Sequence, residues 1–163
     1  MPDPRGPLER LGHQSSSSGV SVWHIVVVHV RIEETRLDPG ELRCELDEGC
    51  GSIVSFVGIT RSEEDGVRVE RLEFDAWEDA LPGVLHSIAE QAIEEFGIRS
   101  IVIAHRIGAV PAGEPIVCIH VGSTHRKQGF SACSWLITEL KNQAPLWKKE
   151  VREDGTIWKS GLG

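Results

Sequence analysis

Residues 79–107 read DALPGVLHSIAEQAIEEFGIRSIVIAHRI, and this stretch decides the class of fold. Its first part is a helix over Asp79 to Phe96. Leu81, Val84, Leu85, Ile88, Ala92, Ile93 and Phe96 recur at helical spacing, and Gly97 supplies a stop. Pro82 falls in the first turn, where a missing N–H is tolerated. The period then changes, and Ile98 to Ile107 is an apolar, β-branched run that predicts a strand.

The same mixture continues on both sides. Downstream lie a turn-rich loop (Gly108 to Glu114), a strand (Pro115 to Val121) and a second helix from about His125 to Asn142. Phe130, Cys133, Leu136, Ile137 and Leu140 give that helix an apolar face, and Pro145 marks its end. Strands Leu146 to Arg152 and Thr156 to Lys159 flank an Asp154-Gly155 turn, a hairpin signal. Upstream, Val22 to Ile32 predicts a strand, Asp38-Pro39-Gly40 punctuates the chain, and Glu41 to Leu46 suits a short helix. Strands Gly51 to Thr60 and Val67 to Ala76 bracket a polar loop and are expected to pair as a hairpin. Two long helices among hairpin-like strands predict an α+β domain over residues 21–163. Residues 1–20, with three prolines and the run Ser15 to Ser18, read as a disordered extension. No internal repeat is visible.

At 163 residues, 40% hydrophobic and 26% charged, the chain suits one domain with a real core. Its longest apolar stretches are strand-sized, so no membrane span is expected, and the polar N-terminus carries no secretory signal. Four cysteines (Cys44, Cys50, Cys118, Cys133) lack C-x-x-C spacing and read as reduced, buried thiols, which points to the cytosol. No metal is expected, because the histidines do not assemble at ligand spacing. The net charge of −8 hides an asymmetry: residues 1–119 balance to −11 with no lysine, and residues 120–163 to +3 with five. The acidic majority argues against nucleic-acid or anionic-membrane binding, and the basic C-terminal quarter argues for a local anion site.

Three clusters could form that site. Ser123-Thr124-His125-Arg126-Lys127 places cations at a helix N-terminus, where each opposes the macrodipole at about 0.3–1 kcal/mol. Free backbone amides with His125 and Arg126 would cradle a phosphate or carboxylate, and a Ser/Thr cap followed by solvated charges is the bland alternative. The second cluster is Lys141 with Lys148 and Lys149. Lys141 suits the last helical turn, where a cation is electrostatically welcome. Strand parity puts Lys149 with Trp147 and Val151 and puts Lys148 with Leu146 and Glu150. Periodicity does not choose between the two lysines; whichever is partly desolvated gives up its proton more readily. The third is Arg61, at the end of the apolar strand that carries Gly58. His105-Arg106 reads as structural, and Lys127 and Lys159 as ordinary surface charges. Gly-x-Gly-x-x-Gly, Walker and Gly-x-Ser-x-Gly motifs are absent.

An ordered set of motifs resembles a known family. Phe56-Val57-Gly58-Ile59-Thr60-Arg61, Leu72-Glu73-Phe74-Asp75-Ala76-Trp77, His105-Arg106-Ile107-Gly108, Ser123-Thr124-His125-Arg126 and Leu140-Lys141 precede Ala144-Pro145-Leu146-Trp147-Lys148-Lys149-Glu150. Together they resemble the large, catalytic subunit of molybdopterin synthase, the MoaE family, over residues 22–160. The resemblance implies an α/β hammerhead fold and a homodimer within a heterotetramer. Each protomer would bind a small ubiquitin-like sulfur-carrier subunit whose C-terminal Gly-Gly ends in a thiocarboxylate. Sulfur would pass to cyclic pyranopterin monophosphate (precursor Z), making the dithiolene of molybdopterin without a cofactor. By matching position, the resemblance makes Lys141 and Lys148 catalytic and makes Arg61, His125 and Arg126 anion and pterin contacts. Ile59, Thr60, Lys149 and Glu150 would line the pocket, which the family builds partly across the dimer interface. Gly129 stands where the family often has Ala, Trp77 replaces a usual Tyr, and Leu81 stands near a frequent Met. The chain does not end in Gly-Gly, so it reads as the acceptor and not the carrier. A non-enzymatic anion-binding or carrier-binding module of the same fold is the alternative.

Overall fold

The computed structural model describes residues 25–162. In chain order the elements are β1 (Val27–Glu33), α1 (Pro39–Arg43), β2 (Ser52–Ile59), β3 (Glu63–Glu64), β4 (Val67–Ala76) and α2 (Leu81–Phe96). They continue with β5 (Ser100–Arg106), β6 (Gly108–Pro111), β7 (Pro115–Ser123), α3 (Arg126–Gln143), β8 (Leu146–Arg152) and β9 (Gly155–Lys159). The extension expected over residues 1–20, and the first residues of the first expected strand, lie outside the described part.

The strands form two sheets. The first has the order β1-β5-β7-β2, with β1 and β5 parallel and the other pairs antiparallel. Helices α2 and α3 cover one face. Leu85, Ile88, Ala92, Leu136 and Leu140 pack there on Ile101, Ile103, Ile119 and Val121. The opposite face meets Leu37, Leu42 and Leu46 around α1, against Val102, Ala104 and Cys118. Strand β5 is therefore buried on both faces, which explains why its sequence is a continuous apolar run. Helix α1 is secured by Asp38, whose carboxylate accepts from the amides of Gly40 and Glu41 at 2.9 and 3.0 Å. Helix α2 ends as expected, with Gly97 at φ 67° and its amide on the Ile93 carbonyl.

The second sheet runs β3-β4-β8-β9, with β6 also paired to β4. The expected hairpin between the strands at 51–60 and 67–76 does not form. Strand β2 pairs with β7 in the first sheet, and β4 belongs to the second. The turn responsible sits inside the expected polar loop. Asp65 and Gly66, at φ 52° and 75°, make a two-residue turn that folds β3 back on β4. A second unexpected strand is β6. Gly108 adopts φ 73°, a conformation cheap for glycine, and turns the chain from β5 in one sheet to β6 in the other.

Two burial expectations also change. Phe130 is 61% exposed and lies off the buried face of α3, where Gly129, Ala132, Cys133, Leu136 and Leu140 make the contacts. Cys118 and Cys133 are buried free thiols, but Cys44 is exposed.

Candidate active site

Between the two sheets and the C-terminal end of α3 lies a cavity of about 420 Å³. Its floor is apolar, from Phe56, Leu72, Phe74, Ile116, Val117 and Leu140. Its polar lining is Arg61, Glu64, His105, Lys141, Lys148, Glu150, Lys159 and Ser160. Four cationic and two carboxylate side chains leave a surplus of two positive charges.

Each element delivers its side chain for a local reason. A register shift between Gly58 and Ile59 lets β2 leave the β7 ladder, and this bulge carries Ile59 and Arg61 to the cavity mouth. Gly58 is required there, because a Cβ would stand 2.8 Å from Val117 Cγ1. Thr60 is 1% exposed and points away from the cavity. Its hydroxyl donates to the Val110 carbonyl at 3.4 Å, and its own carbonyl accepts the Gly113 amide at 2.8 Å, so it anchors the bulge. Arg61 pairs with Glu64 across 2.5 Å.

On β8 the alternation of the strand settles the lysine question. Leu146, Lys148 and Glu150 face inward and Trp147 faces out. Lys148 lines the cavity, and burial lowers its proton affinity. Glu150 and Glu64 work against that effect, while Lys159 and Lys141 add to it. Lys149 lies on the opposite face of the sheet. It pairs with Glu73 from the adjacent strand and sits 5.6 Å over the Trp158 ring, so it does not line the cavity. Lys149 and Arg71 together hold the Glu73 carboxyl below its usual range.

His105 and Arg106 have the structural contacts expected of them. Arg106 pairs with Glu114, and the His105 ring packs edge-on to Phe74 at 5.2 Å. His105 Nδ1 lies 2.8 Å from the Arg106 carbonyl, so that nitrogen donates and Nε2 holds the lone pair. Burial pushes its pKa down to about 4, and the ring adds no charge to the cavity near neutrality.

His125 and Arg126 stand elsewhere. They line a shallow groove with Gly51, Ser52, Thr124 and Lys127 at the start of α3. His125 is the N-cap residue, and its side chain makes no cap hydrogen bond to the first-turn amides. Gly51 makes the close approach possible, since a Cβ there would lie 2.6 Å from the Thr124 carbonyl oxygen. At 1.5 Å per residue, Arg126 and Lys141 are about 22 Å apart along the helix. One chain therefore brings together Ile59, Arg61, Lys141, Lys148 and Glu150, but not His125 or Arg126.

Lys159 is a correction. It lines the cavity opposite Lys148, with its side chain 25% exposed, and is no ordinary surface charge. The turn expected at Asp154-Gly155 would pair Lys148 with Gly161; the turn is instead Glu153-Asp154, with Gly155 already in β9, and this register pairs Lys159 with Lys148. Among the described residues no helix is long and apolar enough to cross a membrane.

An apolar-floored cavity between two sheets, lined by three lysines and an arginine, marks an α+β protein whose site has the charge and shape to take a small anion. The MoaE protein family model matches residues 32–143. The molybdopterin synthase catalytic subunit of Pyrococcus abyssi is 36% identical over 111 residues, 68% of this chain and 75% of that protein. A crystal structure of molybdopterin synthase from Staphylococcus aureus superposes with a TM-score of 0.75 at 32% identity, covering 80% of this chain and 96% of that one. A complex of subunits 1 and 2 of the molybdopterin-converting factor from Helicobacter pylori gives 0.66 at 25% identity, covering 80% and 90%. The chain belongs to the MoaE family, the catalytic subunits of molybdopterin synthase, enzymes of molybdenum cofactor biosynthesis.

Proposed function

We propose that this subunit transfers sulfur from the C-terminal thiocarboxylate of a small ubiquitin-like carrier to cyclic pyranopterin monophosphate, with Lys141 and Lys148 as the catalytic pair. The observation that carries the reading is their convergence, from the end of α3 and the inner face of β8, on one cationic cavity. Both reactants are anions, and the surplus of two positive charges lowers the repulsion between them. The apolar floor suits the pterin ring, and Arg61 at the mouth suits the phosphate. A lysine with lowered proton affinity, such as Lys148, donates to a leaving group more readily than an ordinary lysine. Lys141 stabilises the charge that develops on the tetrahedral intermediates.

The carrier is the small subunit of the kind seen beside the Helicobacter pylori relative, and its tail enters the cavity. His125 and Arg126 serve the cavity of a second copy in a homodimer. Their distance from Lys141 supports that arrangement, because a small substrate does not span about 22 Å of helix.

The test mixes this chain with thiocarboxylated carrier and precursor Z and measures dithiolene formation. Lys141→Ala and Lys148→Ala each abolish most product. No product from the unaltered chain with a competent carrier overturns the reading. Arg126→Ala homodimers lose most activity, and dimers that pair one Arg126→Ala chain with one Lys148→Ala chain recover about half; full activity in the Arg126→Ala homodimer overturns the shared site.

A further inference from the structure

Two carboxylates inside a site for anions call for an explanation. Glu150 is 4% exposed on the inner face of β8, two residues from Lys148. Glu64 reaches the cavity from β3 at its mouth. Left alone, either would pair with Lys148 and weaken the field that attracts the substrate. Yet among the described residues no carboxylate oxygen lies within 4.0 Å of the Lys148 ammonium. Both carboxylates turn instead to Lys159, whose Nζ is 3.6 Å from Glu150 Oε1 and 3.7 Å from Glu64 Oε1. Arg152 holds Glu150 from its other side at 3.5 Å, and Arg61 holds Glu64.

We propose that Lys159 is a positioning residue of this site, a clamp that ties Glu64 and Glu150 to each other and leaves Lys148 without a carboxylate partner. The proposal rests on the reading of Lys148 as catalytic. The register of the β8–β9 hairpin makes the clamp possible, since it sets Lys159 directly across from Lys148. Lys159 also adds a like charge beside Lys148. Among the described residues, the charged and titratable groups that face Lys148 are Lys159 from β9, Glu150 from its own strand, Glu64 from β3, Lys141 from α3, Arg61 from the mouth, and the neutral ring of His105 from β5. Removing Lys159 deletes a cation and leaves Glu150 and Glu64 held from one side only, by Arg152 and Arg61, and both changes hold the proton on Lys148 more firmly.

The test reads Lys148 directly. Competitive labelling of the full chain with acetic anhydride at a series of pH values, resolved by mass spectrometry, gives the titration of the Lys148 amine without any substrate. Lys159→Met is expected to raise its midpoint by about half a unit or more. The limb of the kcat/KM profile that Lys148 governs moves the same way, and Lys159→Arg restores both. Glu64→Gln, an independent change at the mouth, is expected to shift the midpoint down. An unmoved Lys148 midpoint in Lys159→Met overturns the proposal. If that variant does not fold, an unmoved midpoint in Lys159→Gln overturns it instead. Failure of the unaltered chain to form dithiolene would refute the sulfur-transfer reaction, while the labelling result judges the clamp by itself.

Discussion

The buried imidazole of His105 makes the fold sensitive to mild acid, and the size of the effect follows from its surroundings. Only 2% of the residue is exposed, and burial lowers its pKa from an ordinary 6.5 to about 4. Between those values the unfolded chain binds a proton that the folded chain refuses. Stability is therefore fully present above pH 6.5 and is lost as pH falls toward 4. At about 1.4 kcal/mol per pH unit, the loss approaches 3 kcal/mol. For a domain of this size that corresponds to a fall in Tm of roughly 6–12 °C. Urea unfolding at one protein concentration, at pH 7.5, 6.0, 5.0 and 4.5, measures it. His105→Gln keeps a donor for the Arg106 carbonyl but does not titrate, so its stability changes far less over the same range. Comparing slopes rather than absolute stabilities removes the cost of the substitution itself. Burial also lowers the proton affinity of His120, in the same direction, and His120→Gln separates the two contributions. Identical pH dependence in unaltered protein and His105→Gln would refute the reasoning.

Gly58→Ala places a methyl 2.8 Å from Val117 Cγ1, and overpacking of this kind costs about 1–3 kcal/mol. Because the β2 bulge must shift, KM for the pterin rises as well, and unfolding and steady-state assays together check both effects. Lys148→Met abolishes dithiolene formation but keeps or raises Tm, since burial disfavours the charged lysine in the folded state and the charge opposes folding at neutral pH. A Tm several degrees lower would contradict that sign. Lys149→Ala removes the contacts with Glu73 and Trp158, costs under about 1 kcal/mol, and leaves most activity, as a dithiolene assay with saturating carrier would show.

Much of this site was legible before the fold was known. The parity of β8 put Lys148 with Leu146 and Glu150 and put Lys149 with Trp147, and the structure keeps both groupings. Helices α2 and α3 were legible because apolar side chains at helical spacing have one face to bury. Strand pairing was not. Apolarity on both sides of β2 says that it is half-buried, but its partner β7 lies some sixty residues away, and no local period encodes that choice. The strand β6 was hidden because Gly108 and Pro111 read as turn residues, while its pairing with β4 is a tertiary contact. Phe130 misled for a different reason. It follows Gly129, which is the residue that faces the sheet, where a Cβ would already stand 3.0 Å from Val54 Cγ2.

The two-residue connection after Arg152 has a consequence for how this chain can vary. A single inserted residue there would leave β8 held by β4 while β9 slipped by one position. Every β9 side chain would then change faces: Lys159 would move to the solvent side and Trp158 would swing into the cavity. Surface turns commonly absorb insertions without penalty, but the length of this one encodes which residue confronts Lys148. Alterations at the molecule's edge, far from any substrate, would therefore read out as changes in chemistry and not in stability.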